Sequence, residues 1–384
     1  MAARTPGVKH LRPSHRFPNG GWQVRYRDAD NTTTRRTFVT KLEALNFQAK
    51  VRHDRSQGDL INPRNAAVPL AEVAEDWYAT KRPDLTPKTA AGYRSILDAH
   101  VLPILGRRPA GKVTAAEIQR FLAEMGTTTG TKRNVLRVLR AVFQHGVLDN
   151  LIRVNPCVGV KPPKAKRKPM LFLTAEQVRT LADAITPEYR TLVLFAAYSG
   201  MRAGEIAALQ VRAVDFLRGR VTVERSVTDV GGKLHFGSTK TDRVRIVAIP
   251  PFLAKLLEDQ VADKGPTDLV FTGPHGAPLR HGNYYAKHFK PAVKRAFPED
   301  LHGLRFHDLR HTCASLLIDQ GVHPKIIADR LGHSSISITM DRYGHLYGDH
   351  DEPIAAQLEG LYQAAQPEKA EVREIRGEIR GKSA

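Results

Sequence analysis

The stretch FHDLRHTCASLLIDQGVHPKIIADRLGHSSISITMDRYGH, residues 306–345, decides the fold. Its apolar residues recur at helical spacing, which predicts a run of helices around a core. Four side chains interrupt that pattern: His307, Arg310, His333 and Tyr343. His307 and Arg310 are three residues apart, so on a helix both side chains leave the same face. We predict that an imidazole and a guanidinium converge there.

The final part of this stretch predicts a short helix. Ser334 is a suitable N-cap residue, and the helix would end near Tyr343. His333 precedes it in a loop. Tyr347, four residues beyond Tyr343, is an alternative candidate for any chemistry that needs a phenol.

Two further candidate residues precede this stretch. In YSGMRAGEIAAL, Arg202 follows a glycine at a predicted turn into a helix, where free backbone N–H groups and the helix dipole favour phosphate. Glu205, three residues later, is placed to form a salt bridge with it. In GSTKTDRVRIVAIP, Lys240 lies at a predicted turn between strands. Either cation alone is more typical of a solvated surface.

The amino-acid composition restricts the class of molecule that the protein binds. The 59 Lys and Arg residues outnumber 39 Asp and Glu residues, giving a net charge of +20 and a sequence pI near 10.1. Such a charge favours a polyanion, with nucleic acid ahead of a membrane surface. The longest apolar run, TLVLFAAYSG, is too short to span a bilayer. We therefore predict no membrane partner.

Cysteine use and the N-terminal residues predict a cytoplasmic protein. Cys157 and Cys313 are the only cysteines, and they lack metal-ligand spacing and cannot form a disulfide framework. Residues 1–17 contain no apolar segment of the kind found in a secretory signal. We expect no metal site.

The hydrophobic periodicity predicts a multidomain fold. Residues 1–62 should form a small β-sheet plus one helix that begins after Thr40. Residues 69–155 should form an all-α domain of four helices, at about 69–82, 87–101, 114–125 and 129–148, with Thr86 and Thr114 as N-caps. Residues 170–366 should form a mainly α domain with a small antiparallel sheet (α+β), starting at a capping box from Thr174 to Gln177. Residues 367–384 should be a flexible tail.

Basic residues in three places are candidates for DNA contact. They lie on the N-terminal strands, on the predicted helices of the second domain, and in the linker VKPPKAKRKPM, which is both stiff and cationic. Arg133, Arg137 and Arg140 share one face of a single predicted helix. The full set is Arg25, Arg27, Arg35, Arg36, Lys88, Arg133, Arg137, Arg140, Lys164, Lys166, Arg167 and Lys168.

The order of the candidate residues and their local motifs closely resembles the tyrosine recombinases of the phage integrase family. The motifs are SGMRAGE, TKT, HDLRHT, LGH and DRYGH. The resemblance is strong over 170–365, extends to 69–150 as a core-type DNA-binding domain, and is less specific over 10–62 as an arm-type DNA-binding domain. The catalytic residues that it implies are Arg202, Lys240, His307, Arg310, His333 and Tyr343.

The resemblance implies a site-specific recombinase that integrates or excises a mobile element. Tyr343 would attack the scissile phosphate and form a 3′-phosphotyrosyl link. Arg202 and Arg310 would clamp the phosphate, His333 would donate a hydrogen bond, His307 would accept or pass the tyrosine proton, and Lys240 would protonate the leaving 5′ oxygen. This chemistry uses no cofactor and no metal ion.

The implied partners are double-stranded DNA attachment sites, a homotetramer on DNA, and accessory directionality or bending proteins. Four alternatives remain. A conjugative-element transposase or a chromosome-dimer resolvase would share the chemistry. A type IB topoisomerase would relax DNA without joining two sites. A DNA-binding regulator would bind DNA without cleaving it.

Overall fold

The computed structural model describes residues 7–27, 32–56, 67–164, 170–239, 243–347 and 351–365, without the side chains of 54 and 351–354. The chain divides into two compact units. The first holds the described residues up to 164 together with Thr228–His235, and the second holds the remainder. Within the described part of the chain, no helix is long and apolar enough to cross a membrane.

The N-terminal part is a three-stranded antiparallel sheet with one helix. Strands β1 (Val8–Leu11), β2 (Gly21–Arg27) and β3 (Thr33–Phe38) lie in that order, and α1 (Lys41–Ser56) follows. The helix covers one face of the sheet, since the Phe47 ring lies 5.2 Å from that of Tyr26 and 5.0 Å from that of Phe38, measured between centroids. The predicted sheet and the helix after Thr40 are confirmed.

The helical part of the first unit contains the four predicted helical segments. The helices are α2 (Leu70–Lys81), α3 (Pro87–Ile96), α4 (Leu102–Leu105), α5 (Ala115–Glu124) and α6 (Thr129–Leu148). A π-helical turn at Leu97–Val101 joins α3 to α4, so the two form one predicted segment. Thr86 and Thr114 accept hydrogen bonds from the backbone N–H groups of Thr89 and Glu117, which confirms both caps. Buried Leu and Val residues of α2, α5 and α6 form the core.

The second unit is mainly helical. Its helices are α7 (Ala175–Ala184), α8 (Arg190–Ser199), α9 (Ala203–Ala207), α10 (Pro251–Gln260), α11 (His281–Tyr284), α12 (Lys290–Ala296), α13 (Asp308–Asp319), α14 (Pro324–Leu331), α15 (Ile336–Tyr343) and α16 (Asp351–Ala364). The capping box of Thr174 and Gln177 is present at the start of α7. Helix α8 is almost entirely buried because α7, α10 and α13 pack around it.

The strands between α9 and α10 form two sheets, where one small antiparallel sheet was predicted. The stretch RVTVERSVTD forms two strands, β5 (Arg220–Val223) and β6 (Arg225–Val230), interrupted at Glu224. Strand β5 lies between β4 (Val214–Asp215) and β8 (Arg245–Ala248) in an antiparallel sheet. Strand β6 instead pairs with β7 (Lys233–Ser238) in a second sheet. The helix-rich α+β architecture is as predicted.

Candidate active site

Two left-handed glycines end the helices that frame the site. Gly200 follows α8 with φ of 68°, and Gly332 follows α14 with φ of 65°. A Cβ on Gly200 would lie 2.7 Å from the Leu331 side chain, so both the backbone conformation and the space require glycine. These two sharp helix ends bring free backbone carbonyls to one place.

The two candidate arginines bind those carbonyls. Arg310 donates from Nη1 to the Gly200 oxygen at 2.7 Å and from Nη2 to the Leu331 oxygen at 2.5 Å. Arg202 donates from Nη2 to the Gly332 oxygen at 2.9 Å. Each guanidinium is therefore held in a fixed orientation by main-chain atoms, with further donors left over.

A buried carboxylate supports Arg202 from behind. Glu205, whose side chain is 1% exposed, accepts from Arg202 Nη1 at 2.9 Å and from Arg245 Nη1 and Nη2 at 3.1 and 2.6 Å. Burial raises the pKa of Glu205, but the hydrogen bonds and charge of Arg245, with those of Arg202, outweigh that effect and hold the pKa below its ordinary value. The predicted pair of Arg202 and Glu205 is thus one part of a three-residue network.

The start of α9 differs from the expected phosphate cradle. The helix is only five residues long, and the backbone N–H of Arg202 already donates to Glu205 Oε2 at 2.9 Å. A short helix has little dipole, and an occupied N–H offers nothing to phosphate. The guanidinium of Arg202, rather than the helix terminus, is the group available for an anion.

Arg310 is 3% exposed, an unusual position for a permanent charge. Burial and the neighbouring charge of Arg202 lower the pKa of Arg310 to about 9, which still leaves the guanidinium protonated at neutral pH. Two arginines that repel each other inside a protein cost stability. Such a concentration of positive charge is suited to an anionic ligand such as phosphate.

The candidate histidines lie in the same electrostatic environment. His333 is half-buried and its Nδ1 lies 2.8 Å from the Thr339 hydroxyl. Burial and the charge of Arg310 lower the pKa of His333 to about 3, and the same two causes lower that of His307 to about 4. Both imidazoles are therefore neutral at neutral pH.

Tyr343 ends α15 and is completely buried. Its ring packs among Ala314, Ile318, Ile327 and Leu331. Burial raises the pKa of the phenol, while the positive charge of Arg310 acts in the opposite direction. Tyr343 and Arg310 are thus close enough for the charge of the arginine to affect the pKa of the phenol.

The structure therefore brings together five of the six predicted catalytic residues, and the sixth, Lys240, lies outside the described residues. The N-cap of α15 is Ser335, one residue later than predicted. Two further residues of the site were not predicted from the sequence. They are Arg245 and His311. Arg245 lies in a stretch with an ordinary strand pattern, and His311 directly follows Arg310 in HDLRHT. The hydroxyl of Tyr343 lies 2.6 Å from Nδ1 of His311.

The predicted DNA-contacting residues of the N-terminal sheet divide between its two faces. Arg25 lies directly across from Arg35, and Arg27 is two residues further along the same face. Arg36 pairs with the buried Val24 on the other face, and its guanidinium lies 5.0 Å from the Phe47 ring centroid. Arg36 therefore belongs to the face that α1 covers.

The arginines of α6 are exposed but have partners within the protein. Arg133 donates to the Pro163 oxygen at 3.1 Å, and Arg140 donates to the Val160 oxygen at 2.6 Å. Arg137 donates to the Asn134 side chain. These contacts attach the segment after α6 to the helix. Lys88 and Lys164 are exposed, whereas Lys166, Arg167 and Lys168 lie outside the described residues.

One group of metal-type ligands is present among the described residues. His145 Nε2 lies 2.7 Å from Asp76 Oδ2 and 3.0 Å from Asp149 Oδ2. The contact with Asp76 is accounted for by a hydrogen bond that joins α2 to the end of α6.

Comparison with known proteins identifies the family. The model of the phage integrase family matches residues 171–350, and that of the phage integrase central domain matches residues 70–162. A protein of Mycobacterium tuberculosis strain H37Rv, named as an integrase of prophage phiRv2, is 31% identical over 90% of this chain and 94% of its own length. The chain belongs to the phage integrase family. As a member of this family it is a site-specific DNA recombinase of the tyrosine type.

Solved structures of other integrases share the fold. The Tn1549 transposon integrase in complex with a circular intermediate DNA is 20% identical, covers 77% of this chain and 99% of its own, and has a TM-score of 0.67. A lambda integrase tetramer bound to a Holliday junction is 18% identical, covers 87% of this chain and 97% of its own, and has a TM-score of 0.54. These similarities confirm the predicted fold class, and the family match confirms the resemblance.

Proposed function

We propose that this integrase cleaves and rejoins attachment-site DNA in the cytoplasm with Tyr343 as the nucleophile and Arg202 and Arg310 as the phosphate clamp. One observation carries the assignment. The two guanidinium groups are anchored on the carbonyls of Gly200, Leu331 and Gly332, beside a buried phenol. This arrangement is rigid and cationic, as a phosphate-binding site must be before its ligand arrives.

The reaction splits one difficult step into two. The phenol oxygen attacks the scissile phosphorus, the bond to the 5′ oxygen breaks, and the protein stays attached to the 3′ end. The phosphotyrosyl ester retains the energy of the broken bond, so a 5′ hydroxyl from another strand can reverse the step without ATP. Such exchange between two sites integrates or excises a mobile element.

The positive charges have a specific role. A phosphodiester repels an incoming anion, and negative charge grows on the non-bridging oxygens during attack. Arg202 and Arg310 are always charged and present planar donor pairs, so they stabilise that charge without a metal ion. His333 donates a further hydrogen bond, with its ring oriented by Thr339. Lys240 protonates the leaving 5′ oxygen, and His307, directly before α13, exchanges protons.

Trapping the covalent intermediate tests this proposal. The protein is incubated with a suicide substrate that carries a nick beside the cleavage position, so that the short 5′-hydroxyl fragment diffuses away and rejoining is prevented. We expect a protein–DNA adduct that survives denaturing electrophoresis. A DNA-binding regulator would give only salt-sensitive mobility shifts and no adduct, and that result would reject the recombinase assignment.

We also propose that the N-terminal sheet is the arm-type DNA-binding domain, within residues 1–62. Its open face carries Lys9, Arg25, Arg27 and Arg35, all of them exposed. Like charges directly across a strand pair destabilise a sheet. The facing Arg25 and Arg35 therefore favour a polyanion over this face, as in proteins that place strands in a DNA groove.

Arg35→Ala should weaken binding to outlying DNA sites, whereas Arg36→Ala should not. The two residues are adjacent in sequence and lie on opposite faces of the sheet, so they form a matched pair. Removing one phosphate contact should lower affinity and reduce the slope of log K against log[salt] by about one. Fluorescence anisotropy with labelled DNA over a salt series measures both quantities. Equal losses for the two variants would contradict the open-face assignment.

The remaining parts of the chain complete the assembly that we propose. Residues 69–155 form the core-type DNA-binding domain and 170–366 the catalytic domain. Helix α16 exposes Leu358, Leu361 and Tyr362, each at least 60% exposed, which suits docking on a neighbouring protomer. A homotetramer on DNA, assisted by bending or directionality proteins, would place four such sites around two attachment sites.

A further inference from the structure

The hydroxyl of Tyr343 has a partner that the catalytic assignment leaves unused. Nδ1 of His311 lies 2.6 Å from it, and the two rings meet edge to face with centroids 5.7 Å apart. His311 is 4% exposed and Tyr343 is fully buried, so protein rather than water surrounds this contact. Short hydrogen bonds between buried groups are strongly directional and fix the position of both partners.

His307 is not the direct partner of this hydroxyl. It precedes α13, and its ring lies edge-on to that of His311 with centroids 5.0 Å apart. His311 is therefore in ring contact with both Tyr343 and His307. A proton leaving the phenol meets His311 first.

The surroundings of His311 keep its imidazole neutral. Burial, followed by the adjacent His307 and the charges of Arg342 and Arg310, lowers the pKa of His311 to about 4, and only Asp308 opposes them. A neutral imidazole has one nitrogen that accepts a hydrogen bond. The phenol has one hydrogen to donate, so the proton of Tyr343 points at Nδ1 when His311 carries its own proton on Nε2.

We propose that His311 is a further catalytic residue that accepts the proton of Tyr343 through Nδ1 as the phenol attacks phosphorus. The bond between Tyr343 Oη and phosphorus forms, the bond to the 5′ oxygen breaks, the phenol proton moves to His311, and Lys240 supplies a proton to the 5′ oxygen. Rejoining returns the proton from His311 to the phenol. This inference rests on the proposed function, because it takes Tyr343 as the nucleophile.

The position of His311 in the chain supports this role. It follows Arg310 on α13, so the proton acceptor and the buried phosphate clamp share one rigid helical segment. The hydrogen bond from the hydroxyl to His311 fixes the phenol oxygen relative to this segment.

Two substitutions at this position test the role. His311→Leu introduces an apolar side chain of similar volume and removes the acceptor, whereas His311→Asn keeps a hydrogen-bond acceptor near the place of Nδ1. We expect His311→Leu to slow single-turnover cleavage of the nicked substrate on the order of a hundredfold at saturating protein, with DNA affinity unchanged, because general base catalysis contributes that much. His311→Asn should stay about as slow as His311→Leu, because an amide oxygen accepts a hydrogen bond but not a proton; recovery in His311→Asn would show that His311 only orients the phenol. His345→Leu, an exposed histidine two residues after Tyr343, is the matched control and should cleave normally.

A modified substrate distinguishes deprotonation of the nucleophile from protonation of the leaving group. With sulfur in place of the bridging 5′ oxygen, the departing thiolate needs no proton. Lys240→Ala should regain activity on this substrate, while His311→Leu should remain slow. Cleavage by His311→Leu at the wild-type rate or faster, or its rescue by sulfur, would overturn the inference. Thermal unfolding of each variant shows whether it folds, and an adduct that persists in Tyr343→Phe would instead reject the proposed function.

Discussion

Tyr343→Phe is expected to abolish the covalent adduct with the suicide substrate while leaving DNA affinity within about twofold of wild type. The substitution removes one oxygen atom and no surface, since Tyr343 is completely buried. Without the phenol oxygen no phosphotyrosyl ester can form. DNA affinity should persist because phosphate contacts by arginines and lysines dominate it.

The substitution should have only a small effect on folding. The ring keeps its contacts with Ala314, Ile318 and Leu331, and the lost hydrogen bond to His311 is worth about 1 kcal/mol. Thermal unfolding is expected to remain cooperative. Absence of the adduct would then result from the missing nucleophile and not from unfolding of the protein.

Tyr347→Phe is the matched control for this experiment. Tyr347 is four residues further on, half-buried, and its hydroxyl donates to the Val322 oxygen at 3.4 Å. It contacts none of the site residues through that hydroxyl, so the variant should form the adduct at the wild-type rate. An adduct in Tyr343→Phe that is lost in Tyr347→Phe would transfer the nucleophile to Tyr347.

Arg310→Lys should slow cleavage on the order of a hundredfold or more, because a lost transition-state donor typically costs that much. The planar guanidinium binds the Gly200 and Leu331 carbonyls together and still presents donors to a ligand. A lysine ammonium keeps the charge but cannot span two carbonyls in one plane. The rate at saturating protein should fall, whereas DNA affinity should change little.

Arg330→Lys provides the comparison for a half-buried arginine that binds a backbone carbonyl without belonging to the clamp. Its Nη2 donates to the Tyr198 oxygen at 2.7 Å. Both variants lose hydrogen bonds to backbone carbonyls, so the free energy of unfolding should fall by about 1–3 kcal/mol in each. Denaturant unfolding measures this fall. Only Arg310→Lys should lose single-turnover rate. Equal rate losses would indicate that Arg310 acts through stability alone.

Helix caps and periodicity could be predicted from local sequence because their causes are local. Thr86, Thr114 and Thr174 each accept a backbone N–H three residues later, as their sequences indicated. The boundary of α15 was displaced by one residue because Ser334 and Ser335 are chemically equivalent at a cap. The opposite orientation of Arg35 and Arg36 was also available from the sequence, since strand side chains alternate.

The contacts of the site could not be predicted in this way. Arg310 and His311 are adjacent, yet one binds carbonyls at the ends of two other helices and the other binds a tyrosine 32 residues later. The role of Arg245 depends on a carboxylate 40 residues earlier. No local pattern encodes which distant group a buried donor will meet.

The sequence by itself determined the family, the order of the catalytic candidates, the basic character and the helix-rich architecture, because residue types and spacing encode these directly. Only the tertiary structure decided that Tyr343 rests fully buried against His311, and that the arginines are held by the backbone ends of α8 and α14. The physical reason is that burial and hydrogen-bond partners are set by packing between helices that are far apart in the chain.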